Sequence, residues 1–496
     1  MALQHLLTGL NGSLPLTYTC ICTVLSIFTI AVYRLWFHPL RHVSGPFVAR
    51  TTELWRTSRY FKGTRHRDIL ALHRQYGSVV RISNNEVSVV HPDLASSTNW
   101  YDTWKAIGGT KSTAANSFFN TTDPKEHAFL RNRVSAVYSM SYFVALDDKI
   151  QPIMDNLLDR FEDITREGAA LSLSHWVSFF TYDVVGKICL GKPLGFVRDG
   201  KDVDGFIRAV HNAFYWIANM GYLPGQAFVM MHPVMVWLGQ VIGLRRTDFA
   251  TAFGKMSIEQ VLKRKNDKPQ EPTNPRRCQQ SWLKSGISSL PVQTKADKTS
   301  IAIKAVLGPI LQDKARYRRL QAELDEALSE DPQRKLPYST IKDLPFLAAC
   351  IKEGFRMHPS IVYQLPRKAP AGGITFDGHF IPPSATISMS ALAQNWCQEI
   401  FANDADRRRP ERWIVGEGSS EEEIKLMERN LASFGYGSRT CIGRNLATFE
   451  VCKFVSQLLT RFDVDLVDRD QPWSIRSLWF AEVDNMSVKL RKRDVA

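Results

Sequence analysis

Residues 434–443 read Phe-Gly-Tyr-Gly-Ser-Arg-Thr-Cys-Ile-Gly and put one cysteine, Cys441, in a glycine-flanked loop just before an apolar run at 446–459. A sulfur there meets the N–H groups and positive dipole end of the coming helix, which stabilise a thiolate and suit it to hold iron. Gly435, Gly437 and Gly443 let the backbone pass close to a flat cofactor with no Cβ in the way. Arg439, two residues before the sulfur, can reach a carboxylate on that cofactor. An isolated cysteine at a helix start is more often a small buried hydrophobe, but the glycines and the arginine argue against that here. A second constellation lies at 346–359. Glu353 and Arg356, three apart, project from one helix face. A surface pair has the same spacing and is worth little; the flanking Phe346, Leu347, Ala348, Ile351 and Phe355 instead predict burial. Buried charges need full pairing, and Arg412, in Pro410-Glu-Arg-Trp413, can complete it.

The elements that position these groups follow from pattern. Residues 68–76 read as the end of a helix. Residues 77–83 and 86–90, joined by Asn84-Asn85, read as a β-hairpin. Helical periods dominate 126–262, clearest at 150–161 and 176–190. Residues 14–33 carry no charge and span ~30 Å as a helix, the thickness of a bilayer core. Arg34, Arg41 and Arg50 follow that run and no Lys or Arg precedes it, which predicts a lumenal residue 1 and a cytosolic body. The run is too long, and its start too uncharged, for a cleaved signal peptide. Pro39 and Gly45-Pro46 then break the helix. The apolar tract 221–244 is either core or a loop dipping into the bilayer.

Composition agrees with a large folded body: 496 residues, 44% of them hydrophobic, suffice for a sizeable core. Eight cysteines scattered singly exclude a disulfide framework and point to a reducing compartment. The net charge of +14 comes from dispersed Lys and Arg, which excludes a nucleic-acid footprint and fits anionic lipid or an acidic redox partner.

The 434–443 stretch resembles the haem-binding signature of the cytochrome P-450 family, Phe-x-x-Gly-x-Arg-x-Cys-x-Gly, at every defined position. The resemblance implies Cys441 as the iron ligand, with Phe434, Gly435, Arg439 and Gly443 shaping the haem site. It makes Glu353, Arg356 and Arg412 the structural triad that steadies the cysteine loop. His127-x-x-x-Arg131 is similar to the family's Trp-x-x-x-Arg, whose arginine binds a haem propionate, with His127 in the tryptophan's place. Arg367 stands where members often carry another propionate-binding residue. The residues at 360–365 would line the substrate side. Phe37-His-Pro-Leu40 and the run at 404–413 look like membrane-bound filamentous-fungal members.

One segment departs from the family. Where members carry Ala-Gly-x-Asp-Thr-Thr on a long central helix, this chain has Thr294-Lys-Ala-Asp-Lys-Thr299. Asp297 and Thr299 match the acid and the second alcohol and are the expected catalytic residues for proton delivery. Lys298 replaces the key threonine and Lys295 the groove-opening glycine. Pro269, Pro272, Pro275 and Pro291 upstream, and Pro309 downstream, predict that no continuous apolar helix forms.

Together these readings predict a mainly α fold with a smaller β-rich part, the cytochrome P-450 fold. Residues 1–13 would be lumenal, 14–36 a single transmembrane anchor in the endoplasmic reticulum, and 37–496 one cytosolic haem-binding monooxygenase domain. The resemblance implies haem (iron protoporphyrin IX), an NADPH-dependent reductase as electron donor, and a lipophilic small-molecule substrate of fungal secondary metabolism. The altered central segment leaves two further readings: a haem-thiolate enzyme that rearranges its substrate or uses peroxide, and a haem-binding pseudoenzyme.

Overall fold

The computed structural model describes residues 2–90, 119, 121, 123–223, 290–330 and 336–493, with isolated positions between 232 and 241. The prolines at 269, 272 and 275, and most of the 221–244 tract, lie outside the described residues. Helix α1, Ala2–Val32, runs on through a wider turn, Tyr33–Phe37. Thr17–Phe37 within it is long and apolar enough to cross a membrane, and Val24, Leu25, Ile27 and Phe28 are exposed rather than packed.

The body is mostly helical with small sheets. Its helices include α2 (Arg65–Tyr76), α3 (Pro124–Ser135), α4 (Asp147–Arg166), α5 (Leu173–Leu190), α6 (Phe206–Met220), α7 (Leu290–Gln312), α8 (Lys314–Glu330), α9 (Pro345–Met357) and α10 (Arg444–Arg461). Helix α4 shows why they pack. Ile150, Ile153, Met154, Leu157, Leu158 and Phe161 recur every three to four residues and are buried as one stripe. Strands β1 (Val79–Ser83) and β2 (Glu86–Val89) form the expected hairpin, with Val79 opposite Val89. Two later strands, β3 (Leu365–Lys368) and β4 (Thr386–Met389), extend it into a sheet of order β1-β2-β4-β3, with β2 and β4 parallel. Near the C-terminus lie β5 (Phe462–Leu466), β6 (Ser474–Leu478), β7 (Phe480–Asp484) and β8 (Ser487–Lys492). Here β6 pairs with β7 and β5 with β8.

Helix α7 corrects the expectation that proline would break this segment. It is continuous over Leu290–Gln312 with Pro309 inside it. Proline removes the N–H that would bond the carbonyl four residues back. That carbonyl, of Ala305, instead accepts a hydrogen bond from Arg408 Nη1 at 3.4 Å. The helix packs on α5, α9, α10 and β7. Its Ile301, Ile303, Val306, Leu307 and Ile310 are buried in the main core, and that packing outweighs the lost bond.

The crossing of α7 and α9 depends on one glycine. A Cβ on Gly354 would stand 2.5 Å from Cγ2 and 3.0 Å from Cα of Val306. Gly354→Ala is therefore expected to push the two helices apart and destabilise the fold by about 1–3 kcal/mol. Thermal unfolding of Gly354→Ala and of the double variant with Val306→Ala checks it, since the second change should recover part of the loss.

Candidate active site

Helix α9 begins with Pro345 at its first turn, where no N–H is missed, and ends before Pro359, which cannot continue it. Between them it carries Glu353 and Arg356 on one face, both buried. Arg356 Nε and Nη2 each donate to the Glu353 carboxylate at 2.8 Å. Arg412 Nε donates to the same carboxylate at 3.3 Å, Trp413 Nε1 at 2.9 Å and the Arg409 backbone N–H at 2.8 Å. Burial alone would raise the Glu353 carboxyl; the Arg356 hydrogen bonds and charge, then Arg412 and the Arg409 N–H, outweigh it and hold it below the ordinary range. The remaining guanidinium N–H groups go to carbonyls. Arg356 reaches Asn395, Ala405 and Arg407, and Arg412 reaches Phe401, Asp404 and Arg407.

The cysteine loop hangs from this cluster through Asn395 and Ser433, neither of which the motif reading singled out. Asn395 Nδ2 donates to the Arg356 carbonyl and to Ser433 Oγ, both at 2.9 Å, and Asn395 Oδ1 accepts from the Ala432 N–H at 2.8 Å. Ser433 Oγ donates to the Phe355 carbonyl at 2.6 Å. Asn395, buried and two residues beyond a helix-capping Ser-x-x-Ala turn, carries no sequence signal that separates it from an ordinary polar residue. Phe434 packs edge-on against Phe355. Beyond it the chain turns at Gly435 (φ +68°) and Gly437 (φ +64°), a left-handed conformation that favours glycine. The Cys441 N–H closes the loop on the Phe434 carbonyl at 2.8 Å. Gly443 then begins α10, and a Cβ on it would come within 3.8 Å of the Cys441 sulfur.

Helix α3 supplies the basic side of the site. Asp123 caps it by accepting the Lys125 N–H at 2.8 Å, and Pro124 starts it. His127 and Arg131, four apart, share a face. His127 is buried; burial and then the charges of Arg439, Arg131 and Arg367 push its imidazole down to about 4, so it is neutral. Burial lowers the Arg131 guanidinium, while a thiolate at Cys441 opposes that. Arg439 also donates to the Thr121 carbonyl at 2.7 Å, and Arg367 to those of Leu365 and Pro366 at 3.5 and 3.1 Å. Arg131, Arg367 and Arg439 thus gather around His127, and Cys441 acts in turn on Arg131. A thiolate, several guanidiniums for two carboxylates, and open space at the Cβ positions of Gly435 and Gly437 fit an iron porphyrin with its two propionates.

Asp297, on α7, meets partners from α5 and α6 instead. Its Oδ1 accepts from the Tyr182 hydroxyl on α5 and from His211 Nε2 on α6, each at 2.9 Å. His211 also stands 3.7 Å from Glu482 on β7, and Lys304 Nζ stands 3.6 Å from the same carboxylate. Two acids and two bases balance one another. Burial lowers the His211 imidazole, but Asp297 and then Glu482 outweigh it and raise it to about 9. Asp297 Oδ2 has no hydrogen-bond partner among the described residues. Thr299 is buried two residues on. The structure thus groups Asp297 with a histidine, tyrosine and lysine that the motif reading did not connect to it. Lys298, by contrast, is half-buried within reach of the Cys441 charge.

A family model described as Cytochrome P450 matches residues 51–288 and 296–488. The chain is similar to Cytochrome P450 monooxygenase cicH of Emericella nidulans, 27% identical over 95% of this chain and 97% of that protein. It is also similar to pisatin demethylase of Fusarium vanettenii, 26% identical over 91% of this chain and 90% of that one. Cytochrome P450 monooxygenase mpaDE of Penicillium brevicompactum is 28% identical over 97% of this chain, which spans 58% of that longer protein.

Two outcomes test the geometry. Glu353→Ala leaves Arg356 and Arg412 buried without their carboxylate and is expected to cost about 3–5 kcal/mol, read as a fall in the thermal midpoint with loss of soluble folded protein. The His211 imidazole is raised from 6.5 to about 9 in the folded chain, so its stabilisation is complete below about pH 6.5 and is lost as pH rises through about 9. The midpoint of the wild type should fall across that window, and His211→Gln, which keeps a donor but cannot titrate, should flatten the slope.

Proposed function

Because the chain belongs to the cytochrome P450 family and is a monooxygenase, we propose that Cys441 is the thiolate ligand of its haem iron and that the substrate is a lipophilic small molecule of fungal secondary metabolism. The observation that carries the proposal is the placement of Cys441 in a glycine-turned loop at the start of α10, within the influence of Arg131, which with Arg367 and Arg439 surrounds His127. The haem, when bound, supplies the oxidising chemistry, with the thiolate pushing electron density toward iron and favouring O–O cleavage.

The chain's own residues do the rest. Arg131, Arg367 and Arg439 would hold the propionates. Neutral His127, on the same face as Arg131, adds no charge of its own to the cluster. Glu353, Arg356 and Arg412 act at a distance: they anchor the segment from which Asn395 and Ser433 hold the cysteine loop. Asp297 and Thr299 remain the residues proposed to move protons. Asp297 would take them from His211, whose half-exposed side chain leads toward solvent, and would have to leave the Tyr182 and His211 bonds to pass them on. Lys298 offers N–H donors and, when protonated, no acceptor, so it cannot hold a water as a threonine does.

The similarity to fungal monooxygenases and the apolar Thr17–Phe37 helix support a single-pass anchor in the endoplasmic reticulum, with residues 37–496 forming the cytosolic catalytic domain and an NADPH-dependent reductase as electron donor. The net charge of +14 suits an acidic reductase surface.

Replacing the sulfur decides the central claim. Cys441→Ser is expected to abolish the thiolate signature of the reduced, CO-bound haem spectrum while leaving a protein that still folds. Retention of that signature would refute Cys441 as the ligand.

A further inference from the structure

Three elements bring ionisable side chains to one point beside α7. His211 comes from α6, Asp297 from α7 and Glu482 from β7, and one nitrogen or oxygen of each lies within 4.8 Å of the others. His211 Nε2 stands 2.9 Å from Asp297 Oδ1 and 3.7 Å from Glu482 Oε1. Both acids are buried, at 1% and 7% exposure. Each has one oxygen engaged and one left over. Asp297 Oδ1 accepts from the Tyr182 hydroxyl and from His211, and Lys304 Nζ stands 3.6 Å from Glu482 Oε2. Asp297 Oδ2 and Glu482 Oε1 have no hydrogen-bond partner among the described residues. A buried carboxylate oxygen left without a donor is costly, so this cluster holds acceptor capacity that its ion pairs do not use.

A cation that takes nitrogen and oxygen ligands uses that capacity. Donor atoms about 2.0–2.1 Å from zinc at tetrahedral angles stand about 3.4 Å apart, and the separations of 2.9 and 3.7 Å straddle that value. We propose that His211, Asp297 and Glu482 form a binding site for a divalent cation of the zinc type, with the fourth position open to water past the part-exposed His211. On binding, Nε2 gives its lone pair to the ion, the ring proton it held leaves to solvent, and nothing is oxidised or reduced. Two carboxylates against the single ammonium of Lys304 leave one net negative charge around the neutral ring, which draws a cation in. The Tyr182 hydroxyl, still donating to Asp297, fixes that carboxylate's orientation, as donors behind metal ligands do. An ion here would hold Asp297 and His211 together and stop the proton transfer proposed for them. That consequence rests on the function proposed above; the site itself does not.

The test uses the full haem-loaded chain in detergent and zinc ion alone. One equivalent of zinc is expected to stay with the protein through dialysis. X-ray absorption at the zinc edge should then show only nitrogen and oxygen neighbours at about 2.0–2.1 Å, with no sulfur at about 2.3 Å. Sulfur neighbours would put the ion on cysteines and overturn the site, as would loss of the zinc on dialysis; neither result needs a variant to fold. Glu482→Gln and His211→Gln each remove one ligand, and each is expected to weaken zinc binding by more than about 100-fold, beyond what losing a partner behind a ligand costs. Wild-type affinity in either folded variant would overturn the assignment. NADPH oxidation with an added reductase should slow when zinc is given to the wild type and not when it is given to Glu482→Gln. Zinc bound as described but without that slowing would sink the Asp297 proton reading and leave the site standing.

Discussion

The Glu353 carboxylate is the constraint on which the site depends. It is buried and accepts from two arginine side chains, a tryptophan ring N–H and a backbone N–H. A buried charge is tolerated only with such complete pairing. The consequence is positional: Arg356 and Arg412 cannot satisfy this carboxylate without also taking carbonyls from the 395–407 segment. That segment carries Asn395, and Asn395 and Ser433 fix where the cysteine loop begins. The rigidity of Cys441 is therefore inherited from a charge cluster that never touches it.

Helix α7 shows a second balance. Its sequence contains two features that ordinarily disfavour a buried helix, Pro309 and Lys304. Each is answered by a partner distant in sequence. The Ala305 carbonyl orphaned by Pro309 is met by Arg408, and buried Lys304 faces Glu482. Arg408 itself is lowered to about 10, first by burial and against the pull of Glu353, so its presence beside the triad has an electrostatic cost that the Ala305 contact helps to offset.

Charge separation divides the centre of the protein. Around His127 the described groups are basic, and a cofactor with two carboxylates fits there. Around Asp297 acids and bases alternate, and that cluster is nearly neutral by itself. The first environment is built from α3 and the cysteine loop, the second from α5, α6, α7 and β7.

The sequence by itself determined the family, the mainly α fold, the β1–β2 hairpin and the apolar N-terminal helix, because each is written in local spacing: glycines about a cysteine, i and i+3 charges, apolar periods, an uncharged run. It also brought Glu353, Arg356 and Arg412 together on paper, since buried charges at helical spacing demand a third partner. Tertiary structure alone decided the rest. Nothing near Pro309 in the chain reveals that Arg408 meets the carbonyl it orphans, so local propensity predicted a break where core packing keeps a helix. Asn395 and Ser433 look like any polar residues until the fold sets them between a triad and a loop. Asp297 was legible as an acid, but its Tyr182, His211 and Glu482 neighbours come from α5, α6 and β7, more than eighty residues away along the chain. Hydrogen bonds and buried charges are settled by what converges in space, and convergence is a property of the packed chain rather than of any stretch of it.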